Sequence, residues 1–123
     1  MLNAYSQNVE VTALGAVPFE NVSLVKGETA LMASPQTIQL NRCGVYAVDF
    51  AGSAAAAQTV QLYKNGVPQQ QAIATGTTPV ISTLVQVQAN NGPCACQAPT
   101  NLQIIATNAG TLTAASIRIT KIC

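Results

Sequence analysis

An Asn-Gly pair at Asn65 and Gly66 constrains this chain more than any other feature. It follows the alternating run Thr59-Val60-Gln61-Leu62-Tyr63 and precedes Val67-Pro68. Alternation with a period of two is the pattern of a half-buried strand, and Asn-Gly tolerates the positive φ angles of a tight hairpin turn. Just upstream, Val45-Tyr46-Ala47-Val48-Asp49-Phe50 is a β-branched and aromatic run entered through Gly44. The small residues Gly52 and Ser53 and the alanines 54–57 connect the two runs. Two strands therefore lie between residues 44 and 69.

The same reading extends along the chain. Residues 3–12 and 22–25 form strands, and 14–19 is a turn followed by an extended X-Pro segment. Residues 30–33 and 37–40 pair briefly, and Asn41-Arg42-Cys43-Gly44 turns the chain into the central strand. After the Asn65-Gly66 turn, 68–75 returns as an edge strand, because Pro68 has no N–H to give a ladder. Residues 80–88 are the longest clean strand, with Ile81, Thr83, Val85 and Val87 on one face. Residues 101–107 and 111–122 close the chain. Ala115, Ile117 and Ile119 oppose Ser116, Arg118 and Thr120. No window has helical periodicity. Short strands with turn signals every ten or so residues predict an all-β sandwich or barrel. The 123 residues fit one domain, 1–123.

Charge narrows the function classes. Only 7% of residues are charged, against 49% hydrophobic, and the net charge is +1. An ordinary soluble domain is about a quarter charged. The polar surface must come from Gln, Asn, Thr and Ser, which suits a protein packed into an assembly. Lys26, Arg42, Lys64, Arg118 and Lys121 are scattered, so neither nucleic acid nor an anionic membrane is an expected partner. The first residues lack a basic stretch followed by an apolar one, so the chain is expected to be made and assembled inside a cell.

Catalytic chemistry has little to work with. Histidine is absent, and Glu10, Glu20, Glu28 and Asp49 are far apart. No catalytic residue, metal ligand set or cofactor is expected, and the chain reads as a non-enzyme. Asp49 is expected to pair with an arginine or a backbone amide, since no second carboxylate lies near it to share a calcium ion.

The four cysteines, Cys43, Cys94, Cys96 and Cys123, admit three readings: disulfides within or between subunits, unpaired thiols, or a metal site. Cys94-Ala95-Cys96 is poorer spacing for zinc than Cys-x-x-Cys. Neighbours one residue apart seldom bridge each other, so any bridges should run from Cys94 and Cys96 to Cys43 and Cys123, or to another chain. The Asn-, Gly- and Pro-rich loop around them, with Asn90, Asn91 and Gln97, is the candidate ligand loop. Gln69-Gln70-Gln71 is a solvated strand edge or a contact surface for a partner or glycan.

Four segments carry a resemblance. Gly44-Val45-Tyr46-Ala47-Val48, Leu62-Tyr63-Lys64-Asn65-Gly66-Val67-Pro68, Pro18-Phe19-Glu20-Asn21-Val22 and Ala115-Ser116-Ile117-Arg118-Ile119 resemble motifs of the tumour necrosis factor and complement-type globular heads. Among these, the sequence looks closest to the heads of bacterial collagen-like exosporium glycoproteins and to phage and prophage structural heads. The resemblance implies a jelly-roll sandwich of about ten short antiparallel strands that forms homotrimers through apolar sheet faces. Tyr46, Val48, Phe50, Ile117 and Ile119 are then expected in the core or at the trimer contact. The chain has no collagen-like stalk, which sets it apart from the exosporium proteins. The expected function is a structural homotrimer decorating a larger particle, as a phage capsid decoration or head fibre on the virion surface. The alternatives are a glycan- or receptor-binding surface module and a spore-surface protein.

Overall fold

The structure, a computed structural model, describes residues 1–26, 30–42, 44–87 and 100–122. All four cysteines and the segment 88–99, with Asn90, Asn91 and Gln97, lie outside the described residues. Eleven strands occur among the described residues: β1 (Leu2–Val11), β2 (Gly15–Ala16), β3 (Asn21–Val25), β4 (Ala30–Ser34), β5 (Thr37–Leu40), β6 (Gly44–Ala54), β7 (Gln58–Lys64), β8 (Val67–Gly76), β9 (Val80–Val87), β10 (Thr100–Ala106) and β11 (Gly110–Lys121). They form two antiparallel sheets, ordered β3-β1-β11-β6-β9 and β4-β5-β10-β7-β8, with β2 pairing β10. The fold is an all-β jelly-roll sandwich, as the resemblance implies.

Alternation decides which side chains face inward. In β6, Tyr46, Val48 and Phe50 are buried while Val45, Ala47 and Asp49 are half-exposed. In β11, Leu112, Ala115, Ile117 and Ile119 are buried. From the other sheet come Ile38, Leu40, Val60, Leu62, Leu102, Ile104 and Ala106, all buried. The two inner faces enclose one continuous apolar core. The Phe19 and Phe50 rings meet edge to face inside it, with centroids 6.1 Å apart and planes at 76°.

β6 differs from the sequence reading: it runs on past Phe50 to Ala54 and, like β11, is longer than β9. Gly52, Ser53 and Ala54 look like a turn in sequence, but their backbone is tied down. Gly52 N–H donates to the Pro79 carbonyl at 2.9 Å, and Ala54 N–H to that of Thr77 at 2.8 Å. The exposed residues Ala55, Ala56 and Ala57 then carry the chain across to the other sheet. The extended segment around Pro18 contributes the short β2, and its Val17 and Phe19 side chains enter the core. The edge role of 68–75 holds, since β8 is the last strand of its sheet.

The β7–β8 turn has the predicted geometry, with φ of 51° at Asn65 and 80° at Gly66. Asn65 also accepts the Asn101 N–H through its side-chain oxygen at 2.8 Å, which ties the turn to β10. A Cβ on Gly66 would touch nothing within 4 Å. Gly66→Ala should therefore cost only the backbone strain of a left-handed residue, about 1 kcal/mol. Chemical denaturation should show an unchanged m-value and a lower midpoint.

Tyr46 is fully buried, and its hydroxyl donates to the Arg42 carbonyl at 2.7 Å. Burial pushes its pKa above the ordinary tyrosine value, and the hydrogen bond and the nearby Arg42 charge only partly oppose that. The folded pKa is thus the higher one, so the folded state holds the phenolic proton more tightly. That contribution is complete below about pH 10 and is lost as pH rises through the folded value. Thermal unfolding between pH 9 and 11.5 should show a steeper loss of Tm in the parent chain than in Tyr46→Phe. The variant should start lower by about 1 kcal/mol for the missing hydrogen bond.

Candidate assembly face

The outward face of the five-stranded sheet combines exposed apolar side chains with very little charge. Its rows follow from the register. One row runs Asn3, Arg118, Asp49, Ser82 across β1, β11, β6 and β9. The next runs Tyr5, Ser116, Ala51, Val80. On the other side of the first row, Thr120 and Leu84 flank Ala47. Every one of these positions opposes an inward neighbour of the core, which is why they stand outside.

The first row is a polar clasp. Arg118 Nη2 lies 3.1 Å from Asp49 Oδ2, and the Ser82 hydroxyl donates to Asp49 Oδ1 at 2.9 Å. Asp49 thus takes an arginine partner, as its isolation from other carboxylates suggests. The pair cancels its own charge. Around it, Val80 is 62% exposed, Leu84 58%, Tyr5 40% and Leu24 39%. Two shallow depressions lie side by side on this face. One, of about 340 Å³, lies among Asn3, Asp49, Ala51, Val80, Ser116 and Arg118. The other, of about 330 Å³, is floored by Ala51, Gly52, Ser53, Ala114 and Ser116 beside Tyr5. The small residues make the hollows, and the larger ones stand beside them.

Tyr46, Val48, Phe50, Ile117 and Ile119 are not on this face. All five are at most 1% exposed within a single chain and form its core. Of the two roles the sequence leaves open for them, core and subunit contact, a face that a second chain could touch does not include them. The residues that the sequence reading passes over are Tyr5, Leu24, Val80 and Leu84. Their signal was present: Val80 and Leu84 share the strand face opposite Ile81 and Val85, where polar residues are the ordinary choice. Gln69, Gln70 and Gln71 lie on the edge strand β8, as expected of a strand edge. Among the described residues, no three His, Cys, Asp or Glu side chains come together as a metal-binding group.

The fold is similar to that of several solved structures. It superposes on the globular domain of a zebrafish complement 1qA protein with a TM-score of 0.78 at 10% identity, covering 99% of this chain and 96% of the other. Rabbit GITRL gives 0.61 at 13% identity, with 100% and 95% covered. Murine APRIL at pH 8.5 gives 0.57 at 9% identity, with 94% and 98% covered. The chain has the complement and tumour necrosis factor type of jelly roll. No protein-family model matches it, and no curated protein matches it in sequence.

Asp49 and Arg118 are both well exposed, at 38% and 61% of their side chains. An ion pair so wetted contributes no more than about 1 kcal/mol. Asp49→Asn should leave the urea midpoint of the dissociated chain almost unchanged. A large loss there would mean that the clasp holds the sheet itself together.

Proposed function

We propose that this protein is a non-enzymatic structural protein whose jelly roll forms a homotrimer and decorates a larger particle. The observation that carries the reading is the outward face of the five-stranded sheet, where Tyr5, Leu24, Val80 and Leu84 surround a self-neutralised ion pair. An exposed apolar face of this kind is a contact surface, and low charge at its centre is what stable interfaces have. Three copies around an axis close through contacts between two different patches of each chain. The face supplies both kinds: projecting Val80, Leu84 and Tyr5, and hollows floored by Ala51, Ala114 and Ser116. A stable contact of this sort buries on the order of 800 Å² per partner.

The particle is a phage virion, with the protein as capsid decoration or head fibre, added in the host cytoplasm. The motifs that resemble those of phage and prophage heads support this, as does the low content of charged residues. A spore surface, also built inside a cell, would use the same features.

Light scattering tests the trimer. Three copies of the 12.7 kDa chain make about 38 kDa, and that mass should persist in reductant. Val80→Asp combined with Leu84→Asp should give a monomer with an unchanged far-ultraviolet spectrum. A parent chain that is monomeric, or a double variant that keeps its mass, would remove this face from the assembly.

A further inference from the structure

The outward face of the six-stranded sheet has a different chemistry. The strands of this sheet contain one charged residue, Lys64. Lys64 pairs with the buried Leu102, and its ammonium donates to the Gln86 carbonyl of β9 at 2.6 Å. It therefore reaches across the solvent-exposed edge from one sheet to the other, away from the outward face. Outward, amides and hydroxyls stand among the aliphatic side chains of Leu31, Ile73 and Ile105, the last two being the cross-strand neighbours of Gln61. Gln103 stands beside Tyr63 across β10 and β7, and Gln39 stands beside Asn101 across β5 and β10. Gln103 donates through Nε2 to the Thr37 hydroxyl at 3.1 Å, and Gln61 donates through Nε2 to the Gln69 carbonyl at 3.1 Å. Each glutamine is thus held in orientation through its nitrogen, while its side-chain oxygen keeps acceptor capacity.

The glutamine triplet has a structural cause. Gln61 pairs with Ile73 and Tyr63 with Pro68, so the single residue Leu62 lies opposite four residues of β8, Gln69, Gln70, Gln71 and Ala72. Ala72 turns inward and is buried, while Gln70 and Gln71 are exposed. Such a bulge at a sheet edge interrupts the ladder, and with Pro68 it blocks the addition of a further strand. An extended peptide is therefore a poor partner for this edge. The triplet leaves extra amides beside Tyr63 instead.

We infer that this face, centred on Tyr63, Gln61 and Gln103 and bordered by the glutamine bulge, binds a neutral polysaccharide. A sugar chain offers hydroxyls that both donate and accept, and primary amides match them in both senses. The half-exposed tyrosine ring adds an apolar surface with a polar rim for a pyranose to lie against. Polyanions would need lysine or arginine on the face, and neither is there among the described residues. The site lies on the opposite sheet from the proposed subunit contact, so a trimer would carry three copies outward and gain avidity. The inference does not depend on that trimer.

Affinity electrophoresis through gels containing a β-1,3-glucan, an α-1,4-glucan or an α-mannan tests it, with dextran sulfate as the charged comparison. At least one neutral polymer should retard the protein. Tyr63→Ala and, separately, Gln103→Ala should each weaken the retardation constant about fivefold, the worth of one hydrogen bond. Thr111→Ala, exposed on the other sheet and outside the proposed subunit contact, should leave it unchanged. The Gln103 variant removes only a half-exposed side chain, so it reads the site even if the Tyr63 variant folds poorly. Retardation by none of the three polymers, retardation that the Gln103 variant keeps in full, or preference for dextran sulfate would each overturn the inference. The monomeric Val80→Asp, Leu84→Asp chain should still be retarded, which separates failure of this site from failure of the trimer.

Discussion

The pairing of the last strand with the first holds this structure in register. β11 lies between β1 and β6 and pairs with each along most of its length. Leu2 faces Ile119 at one end, and Val11 faces Gly110 at the other. Nothing local can replace that contact, because the paired residues are separated by nearly the whole chain. Only when residues 110–121 are in place can Ile117 and Ile119 complete the layer over Phe50 and Val48. The same register sets Arg118 against Asp49 and Ser116 against Ala51, so the outward face depends on the long-range pairing as much as the core does. Such a topology closes long loops before it gains contacts, which makes for slow folding. It also leaves no way to expose the assembly face correctly in a partly folded chain.

Most of the strands were legible because their signals are local. Alternation in β7, β9, β10 and β11 identifies the inward residues directly, and Asn65-Gly66 fixes one hairpin without reference to anything else. The misread stretches are those whose strand character comes from distant partners. Gly52, Ser53 and Ala54 have poor strand propensity, and they are extended because Pro79 and Thr77 accept their N–H groups. Gly15 and Ala16 are a strand only because β10 lies beside them. The glutamine triplet was legible as an edge but not as a bulge, since the count of residues against Leu62 exists only once two strands are paired.

The assembly face was legible only in part. Alternation tells two faces apart, but it does not say which is the inner one when both carry apolar residues. In β9 the choice was between Ile81, Thr83, Val85, Val87 and Val80, Ser82, Leu84, Gln86. The structure buries the first set. In β6 the aromatic residues drew attention as contact candidates, yet size favours them for the interior, where Tyr46 and Phe50 fill volume that valine could not. What remains outside on the five-stranded sheet is a mixture of medium aliphatics and small residues, which no composition statistic singles out.

Scarcity of charge has opposite consequences on the two sheets. On the five-stranded sheet, Arg118 and Asp49 pair with each other near the centre of the outward face, and the exposed Tyr5, Leu24, Val80 and Leu84 lie around them. Water is a poor neighbour for such a surface, and another protein surface is a better one. On the six-stranded sheet, glutamine, asparagine and threonine replace charge beside the exposed Leu31 and Ile73, so the face is hydrated at its amides without carrying a field. A chain that needed only solubility would meet the requirement more simply with lysine and glutamate on both sheets. In the proposed assembly, one sheet would turn toward its own kind and the other toward a neutral, hydroxylated surrounding.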